Sequence, residues 1–318
     1  MKANEVGIAG EFRCVITRAD GSVKADTGFQ KNLILNQGLD FFGGGKGSSI
    51  NAICAIGSGN STPTITQTKL DAFITTTSAS GSTDTTTDYS YEDRGDNLYR
   101  IWEQKKYRFT GLDNVNISEV GLVSTGTSST NYYLTTRALI KDSLGAPTSI
   151  SVKTGETLDI YYKIHKVIDI SDKSFVINVL DGDGGAVPYN VVIRPNSVGN
   201  SYWRGNVSAA INSSGNTWLS PNEWGTVFNS PSGGTSTASY TLESYEANSY
   251  KRKAFIDASL TSANFEIRTA WRSAQNESLF PFQIRFGRVS DDAPLTKTDK
   301  ETLTIPLEFS WGRFEGEL

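Results

Sequence analysis

The 318-residue chain has a single histidine, two cysteines and one methionine, and no apolar run approaches the ~18 residues a membrane span needs. His165 stands in no G-x-S-x-G or H-E-x-x-H pattern, so base-activated acyl transfer and zinc hydrolysis both lack a constellation. It reads as a structural histidine. Cys14 and Cys54 are too few for a disulfide framework and read as two buried free thiols acting as small apolar residues, a disulfide between neighbouring strands being the alternative. The opening stretch MKANEVGIAGEF lacks the apolar core of a secretion signal, so the expectation is a chain made in a cytoplasm that does not insert in a membrane. Positive charge is also short: 30 Lys and Arg against 34 Asp and Glu give a net charge of −4. A phosphate backbone meets no basic field, and nucleic-acid binding is set aside.

Helix formers are scarce as well. Gly, Ser, Thr and Asn outnumber Leu, Glu and Met, while 37% hydrophobic and 20% charged residues are globular proportions. The length suits two domains with cores of their own. The fold expected is all-β, with two β-sandwich-like domains, a few short helices and long polar loops. The first domain spans 1–170 and the second 171–318, divided at the polar stretch Asp169–Lys173.

Along the chain, Glu11–Thr17 alternates, Asp20-Gly21 is a favoured hairpin turn, and Val23–Gln30 returns as its partner. Thr75–Asp88 is nearly all Thr, Ser, Gly and Asp; it buries too little to offset ordering and reads as an exposed loop. Strand patterns follow at Leu98–Phe109, Val115–Val123, Tyr132–Ile140, Ser149–Val152 and Thr157–Val167, with turns at Gly111, Gly126 and Gly145-Ala146-Pro147. Sheets with one apolar face must cover it with another sheet. In Thr157–Ile164 the residues Leu158, Ile160, Tyr162 and Ile164 share one face, which is core. Ser174–Leu180 and Val187–Arg194 flank Asp181-Gly182-Asp183-Gly184-Gly185 as a hairpin. Pro195–Ser249 has few apolar runs and reads as an extended loop region pinned by aromatics. Four strands close the chain: Lys251–Leu260, Asn264–Trp271, Pro281–Val289 and Leu303–Trp311.

The first half is organised around Asn32–Ile74. A strand breaks at Asn36-Gln37-Gly38, Leu39–Phe42 forms a short helix, and Gly43-Gly44-Gly45 ends it because repeated glycine makes helix expensive. Ala52–Ile56 is a strand that stops at Gly57-Ser58-Gly59, and Thr66–Ile74 is a second short amphipathic helix. The order N-x-I-x-N-x-G-L at Asn32–Leu39, then Ile56-Gly57-Ser58-Gly59, Pro63, Thr68 and Leu70, resembles a module of tailed-bacteriophage tail proteins. That module typically carries Asp immediately before this Thr, where the present chain has Gln67. The resemblance continues through Ile117-Ser118-Glu119-Val120-Gly121-Leu122, Thr136-Arg137-Ala138-Leu139-Ile140 and Gly155–Tyr162. Phe282–Phe286 and Phe309-Ser310-Trp311-Gly312-Arg313 are similar to the last strands of some tail-fibre or tail-tip proteins.

Several chemical motifs fail on their own terms. Gly43–Ser48 looks like a phosphate loop, but Gly follows Lys46 where Ser or Thr is needed. Asp181-x-Asp183 opens like a calcium loop, yet Ala186 occupies the glycine position and Val192 the bidentate carboxylate position. Adjacent Glu92-Asp93 and Asp291-Asp292 do not provide an acid and base across a cleft. No catalytic residue, cofactor or metal is assigned. The aromatic group Tyr202, Trp203, Trp218, Trp224, Tyr245 and Tyr250 admits three uses: a platform for sugar rings, pins for long loops, or burial against another subunit. The resemblance implies a non-enzymatic structural component of a phage virion tail, whether tail tip, baseplate or fibre attachment. Its partners would be other tail proteins and copies of itself. The alternative is a receptor-binding protein that recognises host surface polysaccharide through the aromatic loops.

Overall fold

A computed structural model describes residues 1–3, 5–78, 89–180, 184–211, 215, 217–232 and 236–318. Its strands are β1 (Val6–Thr17), β2 (Val23–Asp26), β3 (Gln30–Lys31), β4 (Leu33–Ile34), β5 (Ile53–Gly57), β6 (Phe73–Ser78), β7 (Tyr89–Gly95) and β8 (Leu98–Phe109). There follow β9 (Val115–Ile117), β10 (Glu119–Val123), β11 (Thr136–Leu139), β12 (Ile150–Val152), β13 (Thr157–Asp169), β14 (Lys173–Leu180), β15 (Ala186–Pro195) and β16 (Thr217–Ser220). The last are β17 (Ser236–Leu242), β18 (Lys251–Ala258), β19 (Glu266–Ile267), β20 (Thr269–Arg272), β21 (Phe282–Arg288), β22 (Leu295–Thr296) and β23 (Leu303–Arg313). Two short helices interrupt them, α1 (Asn36–Gly44) and α2 (Ser201–Gly205). The chain is all-β.

The period-2 pattern of β13 explains its central position. Leu158, Ile160, Tyr162 and Ile164 are fully buried on one face. The strand is long enough to pair with β1 from Val6↔Ile168 to Thr17↔Thr157 and with β8 from Leu158↔Phe109 to Asp169↔Leu98. The resulting 14-stranded sheet runs β14-β15-β21-β20-β16-β17-β18-β23-β1-β13-β8-β7, with β2 and β3 beside β1. Its two halves join where β1 meets β23 in parallel, Val6 opposite Trp311. A five-stranded sheet, β4-β11-β10-β5-β6, holds most of the organising stretch. One apolar core runs from Ala3 to Trp311, and a small second one gathers Leu35, Ala55, Leu70, Val123, Tyr132 and Leu134.

The opening hairpin and the β14–β15 hairpin form as expected; a short helix forms around Leu39–Phe42, but it starts at Asn36 and takes in Gly43 and Gly44 before ending at Gly45. Three local expectations fail. Thr66–Ile74 makes no helix: turns lead directly into β6, because the backbone N–H groups of Asp71 and Ala72 donate to the Glu119 carboxylate instead of to a helical ladder. Thr75–Ser78 belongs to β6 and pairs with β5; residues 79–88 of that expected loop lie outside the described residues, as do 181–183 in the β14–β15 turn. The stretch Pro195–Ser249 contains α2, β16 and β17, since Trp203, Leu219 and Tyr240 bury enough apolar surface to fix them. Cys14 and Cys54 are free and buried.

Candidate functional site

Several of the residues that carry the tail-module resemblance, from three separate stretches, converge on one loop. Arg137 on β11 and Glu119 on β10 each sit as a lone charge in an apolar strand, and neither has exposed side-chain surface. A charge in such a place must be paired and saturated with hydrogen bonds. Arg137 Nε donates to Glu119 Oε2 at 2.8 Å, Nη2 to Asp71 Oδ2 at 2.8 Å, and Nη1 to Gln67 Oε1 at 2.9 Å and Ser61 O at 3.1 Å. Gln67, at the position where the resembled module has Asp, accepts from Arg137 through Oε1. Glu119 Oε1 accepts the backbone N–H groups of Gly59 (2.9 Å) and Ala72 (2.8 Å). The guanidinium and the carboxylate thus tie both ends of the 57–72 loop to one point.

Glycine makes this approach possible. A Cβ on Gly57 or Gly59 would run into Glu119 Oε1, and one on Gly59 also into Asp71 Cβ. Ser118 Oγ donates to Gly59 O at 2.7 Å. Leu70 N donates to the Tyr132 hydroxyl at 2.7 Å, and the Tyr132 ring packs against Phe73 with centroids 5.3 Å apart. On the outer side, Ser58, Asn60, Asn116, Ser118, Thr148 and Ser149 line an uncharged polar groove of about 430 Å³ with Leu139 and Pro147.

The six aromatic candidates do not form one cluster, and among the described residues no ring contact joins any two of them. Trp203 is fully buried and donates its Nε1–H to Ser278 O at 3.0 Å. It is a core residue, which removes it from any outward-facing platform or interface. Its neighbour Tyr202 points outward and is 54% exposed. Tyr245 lies over Gly43 and Gly44, donates its hydroxyl to Asp40 Oδ1 at 2.7 Å and packs on Trp311 at 5.7 Å. It pins the α1 glycine end to β23, a loop-pinning role. Tyr250, half-buried, holds a positive φ of 49° and its backbone carbonyl accepts Trp311 N at 3.0 Å.

Trp218 and Trp224 border the same row of the large sheet. Trp218 on β16 is opposite Trp271 on β20, with rings stacked at 6.0 Å and 24°. Trp271 is opposite Gln283, and Gln283 opposite Arg194. The Arg194 guanidinium lies 3.5 Å over the Trp224 ring. Gln283 accepts Gly225 N and donates to Thr226 O, which seats the loop bearing Trp224 on the row. Trp218 and Trp271 are only partly buried. The sequence singles out Trp218 and Trp224; Trp271 lies inside a strand pattern, where an aromatic gives no separate signal.

A third cluster is buried where β13 meets the second half. Lys166 Nζ donates to Ser278 O at 2.7 Å, and burial pulls its pKa down to about 7. Glu277 accepts Leu279 N at 2.9 Å and the Tyr240 hydroxyl at 3.3 Å, and burial pushes its pKa up to about 7. Arg272 Nε lies 3.7 Å from Glu277, and its guanidinium stacks 3.8 Å over Tyr240. These groups face core, not a cleft.

His165 is buried, and burial lowers its pKa; its Nε2 is 3.2 Å from Glu11 Oε2 without hydrogen-bond alignment. Asp291 and Asp292 are each held by an arginine, Arg288 at 2.8 Å and Arg285 at 2.6 Å. Among the described residues no three His, Cys, Asp or Glu side chains gather as a metal site, and no helix is long and apolar enough to cross a membrane. No family model, curated protein or solved structure matches this chain.

Proposed function

We propose that this chain is a non-enzymatic structural component of a tailed-phage virion, in the tail tip, baseplate or fibre-attachment region, and that it works by assembly with other tail proteins and with copies of itself. One observation carries this reading. Gly57, Gly59, Gln67, Leu70, Glu119 and Arg137 come from separate stretches of sequence that resemble the tail module, and they meet in one ion-anchored loop and the small core beneath it. A loop fixed by backbone donors to a buried carboxylate keeps its shape with little ordering cost on contact, which suits repeated protein–protein assembly. The test is mass spectrometry of gradient-purified particles from a phage encoding the chain. Stoichiometric recovery with other tail proteins is expected; absence from intact particles overturns the reading. Release of reducing ends from capsule or lipopolysaccharide by the purified protein would overturn its non-enzymatic part.

A second reading rests on the partly exposed Trp218–Trp271 stack, because flat aromatic faces suit sugar rings. Under it the same component recognises host surface polysaccharide.

A further inference from the structure

The two ends of the 14-stranded sheet differ in kind. At one end β7 carries Glu92, Asp93 and Arg94, charges of the sort that keep an edge from pairing. At the other, β14 pairs only with β15 among the described residues, from Lys173↔Ile193 to Leu180↔Ala186. Ser174–Leu180, SFVINVL, has no charge, no proline and no glycine, in a chain that is 20% charged. Val176 is 66% exposed and Leu180 75% exposed, while Phe175, Ile177 and Val179 are only half-covered on the other face. Such an edge presents unpaired backbone donors and acceptors flanked by apolar side chains. That is the chemistry by which an extended strand adds to a sheet.

We propose that β14 pairs antiparallel with β14 of a second copy of this chain, across a twofold axis at Ile177, so that two sheets continue edge to edge. The sequence of the strand is self-complementary in that register. With the axis perpendicular to the sheet each face stays on its own side, and Phe175 falls opposite the second copy's Val179, Ile177 opposite Ile177, and Val176 opposite Asn178. Charge does not oppose the pairing. The strand's single charge, Lys173, is neutralised within its own chain by Asp169 at 2.7 Å. Along Ser174–Leu180 an uncharged copy of the same strand meets no like charge. Two grooves flank the strand, about 380 Å³ beside Phe175 and Ala3 and about 250 Å³ beside Val179, Val187, Leu295 and Leu303, and each also carries charges of both signs, Lys2 and Glu5 in the first and Lys297 and Glu301 in the second. The twofold sets the first groove of one copy beside the second groove of the other. An eight-residue edge is about 26 Å long, which places the contact among small, weak interfaces. The association is accordingly concentration-dependent. The proposal stands on this edge and does not depend on the virion reading.

The test is the solution mass of the full-length protein by light scattering at rising concentration, for wild type, Val176→Lys, Leu180→Lys and, as a control on a distant exposed loop, Leu144→Lys. The wild type and L144K double in mass across the micromolar range; V176K and L180K stay monomeric with unchanged thermal midpoints. A wild type that remains monomeric, or a V176K protein that dimerises like wild type, overturns the proposal. Incorporation of V176K into particles is a separate measurement: a monomeric variant still found in virions leaves the tail reading intact.

Discussion

Arg137 and Glu119 meet at 2.8 Å between Nε and Oε2 with neither side chain exposed, and they do so eighteen positions apart in sequence on adjacent antiparallel strands. The pair is not an isolated salt bridge, since the loop from Gly59 to Ala72 donates to the carboxylate and accepts from the guanidinium. Desolvating two charges is costly, and the cost is offset here by Asp71, Gln67, Ser61 and the N–H groups of Gly59 and Ala72.

Removing one partner therefore leaves the other charge uncompensated. Arg137→Met is expected to lower unfolding free energy by about 3–5 kcal/mol, measured by urea denaturation, and to loosen the 57–72 loop in hydrogen exchange. Glu119→Gln keeps shape but loses charge and is expected to cost less than R137M. Equal, negligible effects of both would show that the network contributes nothing.

Gly59 tests packing separately from charge. Its constraint is space and not a left-handed backbone, because a Cβ there would strike Asp71 Cβ and Glu119 Oε1. Gly59→Ala is expected to destabilise by about 1–3 kcal/mol, the range of overpacking. By contrast Gly145→Ala, at φ 83° with open space around it, suffers only the backbone penalty of about 1 kcal/mol. The order of the two melting temperatures checks this.

Much of the fold was legible because it rests on period-2 patterning: Leu158, Ile160, Tyr162 and Ile164 announce β13, and the whole of β8 and the β14–β15 hairpin read correctly. The ion network was legible only as a motif. Glu119 in ISEVGL and Arg137 in TRALI are single charges in apolar strands, a signal that each needs a buried partner, yet sequence alone does not say which. Thr66–Ile74 misled for the same reason. Its helical spacing was local, while the groups that decide its conformation, Glu119 and Arg137, come from strands fifty and seventy residues away. Composition does not separate Trp203 in the core from Trp218 on a sheet face.

The Lys166–Glu277 cluster gives a pH dependence whose sign follows from the shifts. Glu277 titrates near 7 in the folded chain against 4.5 unfolded, so the folded state holds its proton longer and this group's stabilisation falls as pH rises between those values. Lys166 titrates near 7 folded against 10.5 unfolded, so the destabilisation from its buried charge is relieved as pH rises from 7. Glu277→Gln is expected to gain stability relative to wild type between pH 5 and 7. Lys166→Met is expected to lose stability relative to wild type between pH 7 and 10. Denaturation curves at four pH values suffice, and pH-independent differences would refute the assignment.

Trp203 and Trp218 separate the core role of an aromatic from a ligand-binding one. Truncating Trp203 empties a fully buried volume and leaves Ser278 O without the indole donor, so Trp203→Ala is expected to lose about 3–5 kcal/mol of stability. Trp218→Ala, at a half-exposed position, removes one ring of a stack and leaves the core intact, so its melting temperature should stay close to that of the wild type. If the sheet face takes polysaccharide, W218A and W271A both lose binding to capsule or lipopolysaccharide in a pull-down, by about tenfold per ring for a contact of 1–3 kcal/mol, as for other flat rings on aromatic faces. A fall in binding for W203A alone, tracking its lower stability, assigns the effect to folding. Wild-type binding that survives both W218A and W271A excludes this face as the sugar platform and leaves the stacked pair as sheet packing between β16 and β20.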